Sequence, residues 1–256
     1  MSVSPQVQQR ALLERIALPR QLHERHGQAC AIAFDEFQDV VRIGPAAPAT
    51  IRSEIETHGT AAAYTFSGSH PGLMRDLFSD RRQAFFAQAA TIDLPPLPQD
   101  ELADYIGERF ERAGRDPADA LEPLLDLAQG HPQRAMLLAH HLYELTQRDR
   151  LATGETWLRA LAAAEHAVTS EIEADWAHLG RTERKIISIV AARSIPLGGA
   201  QARQRYTLSK GGSNARATDN LWRNGHIAPD TTTATGWRVL DPLLERWLAA
   251  GRTWPD

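Results

Sequence analysis

The chain of 256 residues is 43% hydrophobic and 23% charged, which is typical of a folded globular protein long enough for two or three domains. Its apolar runs are much shorter than the roughly 20 residues of a membrane helix, and its N-terminus lacks the pattern of a secretory signal. We therefore expect a cytoplasmic protein with no membrane partner. A single cysteine, Cys30, excludes an internal disulfide framework and a cysteine-based zinc site.

The net charge of −4 is unevenly distributed along the chain. Residues 1–180 carry 16 basic and 26 acidic side chains, a balance of −10, whereas residues 181–256 carry 12 basic and 6 acidic ones, a balance of +6. A basic C-terminal part in an acidic protein indicates a module that binds a polyanion. The alternative is a small basic domain without such a ligand.

Residues 1–98 have the pattern of an α/β domain. Residues 7–26 have helical spacing interrupted by Pro19, which predicts one helix or two. The apolar runs 29–34 and 61–66 predict strands that are buried on both faces of a parallel sheet, and residues 90–94 predict a third strand. Helices at 50–59 and 71–78 separate these runs, which favours a parallel α/β sheet.

The rest of the chain is predominantly helical in pattern. Residues 99–150 predict a small helical domain, broken at Gly130-His131-Pro132, and residues 151–180 contain a bridging helix. Residues 181–256 predict three helices, a β-hairpin and a final helix. Three helices followed by a hairpin indicate a winged helix-turn-helix.

Two acidic residues, Asp35 and Glu36, directly follow the first predicted strand. Open α/β sheets bind ligands at the carboxyl ends of their strands, where an aspartate can hold Mg²⁺ and a glutamate can polarise an attacking water. The alternative is a strand that ends in two solvated acids.

The segment AIAFDEFQDV resembles the Walker B segment of AAA+ and STAND-type P-loop ATPases, particularly the archaeal-ATPase-like group, and the resemblance extends from about residue 11 to 248. It implies an incomplete P-loop-type parallel sheet with a helical lid and a C-terminal winged helix. It also implies that a complete family member binds ATP and Mg²⁺, with Asp35 as the metal ligand and Glu36 as the catalytic base.

Other segments resemble this family in the same order along the chain. The strand that ends in Ser67-Gly68-Ser69 is similar to the sensor 1 strand, and the resemblance implies that Ser67 or Ser69 reads the terminal phosphate. GLMRDLFSDRRQAFF resembles the segment that carries an arginine directed at a neighbouring nucleotide, with Arg81 and Arg82 as candidates or as members of a solvated face. GHPQRAMLLAHHL is similar to the Gly-x-Pro element near the nucleotide, which involves His131 and Pro132, unless this is an ordinary interhelix turn.

The sequence contains no Walker A motif of the form GxxxxGK[ST], and its two lysines, Lys185 and Lys210, both lie in the basic module. Relative to the family the chain resembles an N-terminally truncated or degenerate member. We therefore expect weak nucleotide binding or none from this chain, and self-association through the sheet edges that a missing strand would leave exposed. An upstream start codon that adds the loop is an alternative.

In the basic module, a recognition helix in the major groove of DNA would present Lys210, Ser213, Asn214, Arg216 and Arg223, with Arg238 on the wing. Protein docking is the alternative use of such a module. Two functional hypotheses follow. The chain is a truncated ATPase that couples Mg-ATP to a DNA- or protein-binding winged helix, or it is a non-catalytic DNA-binding regulatory protein on an ATPase scaffold.

Overall fold

A computed structural model describes residues 5–148, 150–193, 195–197, 199–208 and 212–251. The chain divides into two compact units, the first formed by residues 1–92 with 223–225 and the second by residues 93–222 with 226–256. Each unit has its own cluster of buried apolar side chains. No helix in the described ranges combines the length and the apolar composition that crossing a bilayer requires.

The first unit contains five α-helices and two strands among its described residues. Along the chain these are α1 (Pro5–Ile16), α2 (Leu18–His26), β1 (Cys30–Phe34), α3 (Val40–Ile43), α4 (Ala47–Glu56), β2 (Ala62–Phe66) and α5 (Pro71–Ser79). The N-terminal helical segment is thus two helices, because Pro19 is accepted in the first turn of α2 but not in a helix interior. Gly27, with φ of 69°, ends α2.

Strands β1 and β2 pair in parallel, with Cys30 opposite Ala62 and Phe34 opposite Phe66. On one face Phe34 and Phe66 pack against a cluster that includes Phe37, whose ring centroid lies 4.5 Å from that of Phe66. The opposite face carries the exposed residues Ala31, Ala33, Ala63 and Thr65. The prediction that both faces are buried is wrong, because small residues alternate with large ones and only the aromatic face packs into the core.

The predicted third strand does not form. Residues 90–98 have no regular secondary structure, and Ile92 and Leu94 are 82% and 89% exposed. An apolar run becomes a strand only when its backbone groups find a partner, and Pro95 and Pro96 cannot donate hydrogen bonds to one. The parallel α/β prediction is therefore confirmed only as a small sheet of two strands within the described part of the chain.

The second unit is mostly helical. Its elements are α6 (Gln99–Arg112), α7 (Leu121–Ala128), α8 (Pro132–Leu145), α9 (Gly154–His178), α10 (Arg181–Ala192), α11 (Ala200–Tyr206), α12 (Ser213–Arg223), β3 (Ile227–Pro229), β4 (Trp237–Val239) and α13 (Pro242–Ala249). Strands β3 and β4 are antiparallel. The long helix α9 begins with a reciprocal capping box between Thr153 and Thr156. A single buried cluster extends from Leu102 on α6 to Leu248 on α13, so α6–α8 and the C-terminal elements share one core.

Candidate functional site

The loops that follow β1 and β2 lie side by side at the carboxyl edge of the sheet. Pairing continues beyond the strands, because the Ser67 amide donates to the Phe34 carbonyl at 2.8 Å and the Phe37 amide donates to the Ser67 carbonyl at 2.9 Å. These two bonds fix Asp35 and Glu36 against the loop that contains Ser67 and Ser69. Parallel strands end at the same edge of a sheet, which is why four polar residues from distant parts of the sequence meet here.

Asp35 and Ser67 form the first half of this cluster. The Ser67 hydroxyl donates to Oδ1 of Asp35 at 2.8 Å, and the Glu36 amide donates to the same oxygen at 3.0 Å. Both side chains are exposed. A carboxylate and a hydroxyl are oxygen ligands of the type that Mg²⁺ prefers. No group of three His, Cys, Asp or Glu side chains that could hold a metal ion occurs among the described residues, so a cation here would need further ligands from a bound molecule or water.

Glu36 forms the second half and has an unusual backbone. Its φ of 49° and ψ of 43° place it in the left-handed region, which is uncommon for a residue other than glycine. The Ser69 hydroxyl donates to Oε2 of Glu36 at 2.8 Å, and the Gln38 amide nitrogen donates to the same oxygen. Hydrogen bonds from Gln38 and then from Ser69 lower the pKa of Glu36, so its side chain is a carboxylate at neutral pH.

Gln38 and His70, which are not among the residues predicted from the sequence, complete the cluster. Gln38 is only 2% exposed, and its amide nitrogen lies 3.1 Å from Nδ1 of His70. The amide oxygen of Gln38 is buried and has no hydrogen-bond partner among the described residues. An unsatisfied buried acceptor costs about 1–3 kcal/mol. In the sequence these two residues could have been found only by their closeness to the predicted site residues, because Gln38 lies two residues after Glu36 and His70 directly follows Ser69.

The two candidate arginines lie on exposed parts of the loop after α5. Arg82 pairs with Asp80, with 2.8 Å between Nη2 and Oδ2, and this contact lowers the pKa of Asp80 to about 2. Arg81 is exposed. The observed geometry of Arg82 is therefore that of a local turn in which the arginine folds back onto Asp80.

His131 and Pro132 belong to the second unit, where they begin α8. Pro132 occupies the first turn, and Nδ1 of the His131 ring lies 3.4 Å from the Arg134 amide, which it caps. Burial lowers the pKa of His131. Arg134 is 4% exposed and binds Asp241 through two hydrogen bonds of 3.1 and 2.6 Å. His131 and Pro132 thus form the start of α8, and Arg134 in its first turn joins α8 to the N-terminus of α13.

The candidate DNA-contacting residues are distributed over several elements. Ser213, Asn214 and Arg216 lie on the first turns of α12, where Ser213 and Arg216 are exposed. Arg238 lies on β4, and Arg223 pairs with Asp76 at 3.1 Å within the first unit. Lys210 lies outside the described residues. Four of the five described candidates therefore lie on α12, three of them on its first turns and Arg223 at its end.

The comparisons with known proteins agree with the fold at a coarse level. No protein-family model and no curated protein matches the sequence. In structure the chain is similar to the Walker-type ATPase PABY2304 of Pyrococcus abyssi, with a TM-score of 0.69, 18% sequence identity and coverage of 90% of this chain and 65% of that chain. The chain therefore spans less than two thirds of that protein's length. The similarity shows that the two chains share a fold.

Proposed function

We propose that the first unit provides the carboxylate half of a magnesium–nucleotide site of the AAA+/STAND type. The observation that carries this proposal is the convergence of two acid–hydroxyl pairs, Asp35 with Ser67 and Glu36 with Ser69, at the carboxyl edge of a parallel sheet on an ATPase-like scaffold. Asp35 and Ser67 offer oxygen ligands for the metal. Glu36, held as a carboxylate, polarises the attacking water.

The residues fit Mg²⁺ in ligand type but do not fit the nucleotide as a whole. A triphosphate needs a glycine-rich loop whose amides surround the phosphates and whose lysine binds the terminal groups, and the sequence contains no GxxxxGK[ST] loop of this kind. Bound Mg²⁺ would neutralise charge on phosphate oxygens. Hydrolysis by this site therefore requires a phosphate-binding loop that these 256 residues do not contain, supplied by additional sequence or by a partner.

Calorimetry with Mg·ATP tests this function. The 256-residue chain is compared with a version extended upstream to any in-frame GxxxxGK[ST] segment, and each is also prepared as Glu36→Gln. We expect binding only by the extended version and loss of turnover, but not of binding, in its Glu36→Gln variant. Binding by the short chain would show that other residues hold the phosphates, and turnover that survives Glu36→Gln would remove Glu36 as the base.

For the C-terminal part we propose a winged-helix module that binds DNA. The order of α10, α11, α12 and the β3–β4 hairpin supports this proposal, as does the +6 balance of residues 181–256. Arg205 on α11 and Arg216 on α12 are exposed and suit contacts with phosphates or base edges. This candidate does not depend on nucleotide binding by the first unit.

Salt dependence tests the DNA-binding proposal. Fluorescence anisotropy with a labelled duplex should show an affinity that falls steeply between low and moderate salt, because each neutralised phosphate releases a counterion. Arg216→Ala should reduce the logarithmic salt slope by about one. Arg112→Ala on α6 is the control. It also removes one exposed arginine, but outside the basic module, and it should leave the slope unchanged. A flat salt response would count against the module as a DNA binder.

A further inference from the structure

The hydrogen bonds at Glu36 all converge on one of its two carboxylate oxygens. Oε2 accepts from the Gln38 amide, from the Ser69 hydroxyl at 2.8 Å and from the Ser69 backbone amide at 3.4 Å. Among the described residues no donor reaches Oε1. Because Glu36 is exposed, the arrangement fixes the plane of the carboxylate through one oxygen and leaves the other open to a water molecule.

The position of Gln38 is maintained although one of its polar atoms is left unsatisfied. Its amide is buried, its nitrogen reaches Glu36 and His70, and its oxygen is buried without a hydrogen-bond partner in the described part of the chain. Rotating the amide by half a turn would place its oxygen against the Glu36 carboxylate, so the observed orientation is the one that donates to Glu36. In this orientation the amide nitrogen of Gln38 forms hydrogen bonds, and its amide oxygen forms none among the described residues.

Gly68 makes room for this amide. A Cβ at position 68 would overlap the Gln38 oxygen and would lie 2.7 Å from Cγ and Sδ of Met74. Both neighbours are ends of flexible side chains, so an alanine could be accommodated by moving them rather than the backbone. The absence of a side chain at Gly68 thus leaves the space that the Gln38 amide oxygen occupies.

His70 belongs to the same network. Its Nδ1 lies 3.1 Å from the Gln38 nitrogen and 3.0 Å from the Ser69 hydroxyl oxygen. Both of these groups donate to Oε2 of Glu36. His70 therefore contacts the two side chains that bind the Glu36 carboxylate.

We propose that Gln38 is a positioning residue for Glu36, supported by Gly68 and His70, and that it orients the carboxylate so that Oε1 faces the attacking water. This inference rests on the proposed hydrolytic role of the same site. A purely space-filling role for Gln38 would require a side chain of this size but would not require its amide nitrogen. The two roles therefore predict different behaviour for an isosteric apolar replacement.

Three variants separate these roles. Gln38→Met keeps the volume and removes both donors, and Gly68→Ala keeps Gln38 but displaces its amide. Gln88→Met is the matched control, because Gln88 is an exposed glutamine of the same unit. Circular dichroism first establishes that each variant folds like the parent chain.

Nuclear magnetic resonance of the 256-residue chain tests the contact directly. We expect the side-chain amide hydrogens of Gln38 to exchange with water at least about tenfold more slowly than those of Gln88, and Gly68→Ala to remove most of that difference. The Gln38 signals should also shift in Glu36→Gln. Exchange of Gln38 as fast as that of Gln88 in the parent chain would overturn the inference.

Kinetics on the version that turns over Mg·ATP tests the consequence. Gln38→Met and Gly68→Ala should each lower kcat about 10- to 100-fold, since a displaced base loses its near-attack geometry, with KM changed less than about twofold. Gln88→Met should change neither constant. Normal turnover in Gln38→Met would overturn the positioning role alone, whereas a parent protein that binds Mg·ATP but never hydrolyses it would overturn the proposed function and this role together.

Discussion

Arg134 is a buried residue whose ion pairs join three helices of the second unit. From α8 it reaches Asp241 at the start of α13 and Glu171 on α9, with 3.0 Å between its Nη2 and Oε1 of Glu171. Asp241 also accepts hydrogen bonds from the amides of Leu243 and Leu244, so it caps α13 while binding the arginine. A planar guanidinium can bind a carboxylate at two points, which lysine cannot do.

Removal of Arg134 should be costly. Arg134→Met leaves the Asp241 carboxylate partly buried without its cation, and we expect the free energy of unfolding to fall by about 3 kcal/mol. Urea unfolding followed by circular dichroism measures the loss. Arg112→Met, which breaks only an exposed pair with Glu108 on α6, is the control and should cost less than about 1 kcal/mol. Equal effects of the two substitutions would contradict a special role for the buried pair.

His131 makes the stability of the second unit depend on pH. Burial lowers its pKa below the unfolded value of about 6.5, so the unfolded chain binds more protons as the pH falls. The stabilisation is therefore fully present above pH 6.5 and is lost as the pH falls through the folded pKa. A protonated His131 ring also cannot accept the hydrogen bond from the Arg134 amide, because both of its nitrogens then carry a hydrogen.

His131→Asn separates this effect from those of the other histidines, because asparagine is a strong N-cap that does not titrate. Relative to the variant, the parent chain should lose about 1 kcal/mol of unfolding free energy between pH 7 and pH 5, the typical contribution of an N-cap. Parallel urea titrations at several pH values measure the difference. The same pH slope in both proteins would show that His131 does not carry the effect.

Among the helices and strands, those whose ends are marked by neighbouring residues could be predicted from the sequence, and those that depend on distant residues could not. Helices α8 and α13 begin at prolines, and α9 begins at a Thr capping box, so their boundaries could be read closely from neighbouring residues. The run 90–94 carries the same local strand signal as β1 and β2, yet it remains unpaired in the structure. Strand formation depends on a partner that a local pattern does not reveal.

In the candidate site, too, only part of the arrangement could be predicted from the sequence. The meeting of Asp35 with Ser67 could be predicted, because parallel strands bring their carboxyl ends together. The roles of Gln38 and His70 could not, because they depend on the left-handed turn at Glu36 and on the 3₁₀ turn at Phe37–Asp39 that buries the amide. Neither backbone feature has a glycine or proline that would signal it in the sequence.

Two glycines of the second unit provide a paired test of element geometry. Gly107 lies inside α6 with nothing near its absent side chain, whereas Gly130 has φ of +75° and a Cβ there would lie 2.5 Å from the Leu97 carbonyl oxygen. Gly107→Ala should stabilise the chain by about 0.5–1 kcal/mol through helix propensity. Gly130→Ala should destabilise it by more than about 2 kcal/mol, because backbone strain adds to a clash with main chain. Melting temperatures that moved in the same direction would refute this contrast.

At the scale of the whole molecule, the chain consists of two units that each have a separate core. The segment between them contains Ile92 and Leu94, both highly exposed, and the described backbone from residue 89 to 96 forms no backbone–backbone hydrogen bond. By contrast, α6–α8 and α10–α13 share one core and are joined by the Arg134–Asp241 pair, while Arg193 at the end of α10 pairs with Glu245 on α13. We therefore expect the second unit to behave as one cooperative body.

Limited proteolysis tests this expectation. An enzyme that cleaves at aliphatic residues, used at low concentration, should cut first near Ile92 and Leu94, because cleavage requires an exposed and unpaired backbone. The C-terminal fragment should retain its helical circular dichroism and a single unfolding transition. First cuts between α8 and α10, or a fragment that unfolds in two steps, would contradict a single body.

The aromatic residues are divided between the units in a way that affects how the molecule can be observed. All six tryptophans follow residue 156 and belong to the second unit, whereas the first unit contains no tryptophan and one tyrosine, Tyr64. Trp176 and Trp247 lie in contact within the shared core, with ring centroids 5.5 Å apart. Selective excitation of tryptophan therefore reports on the second unit alone, and a single tryptophan placed in the first unit would give that unit an optical signal of its own.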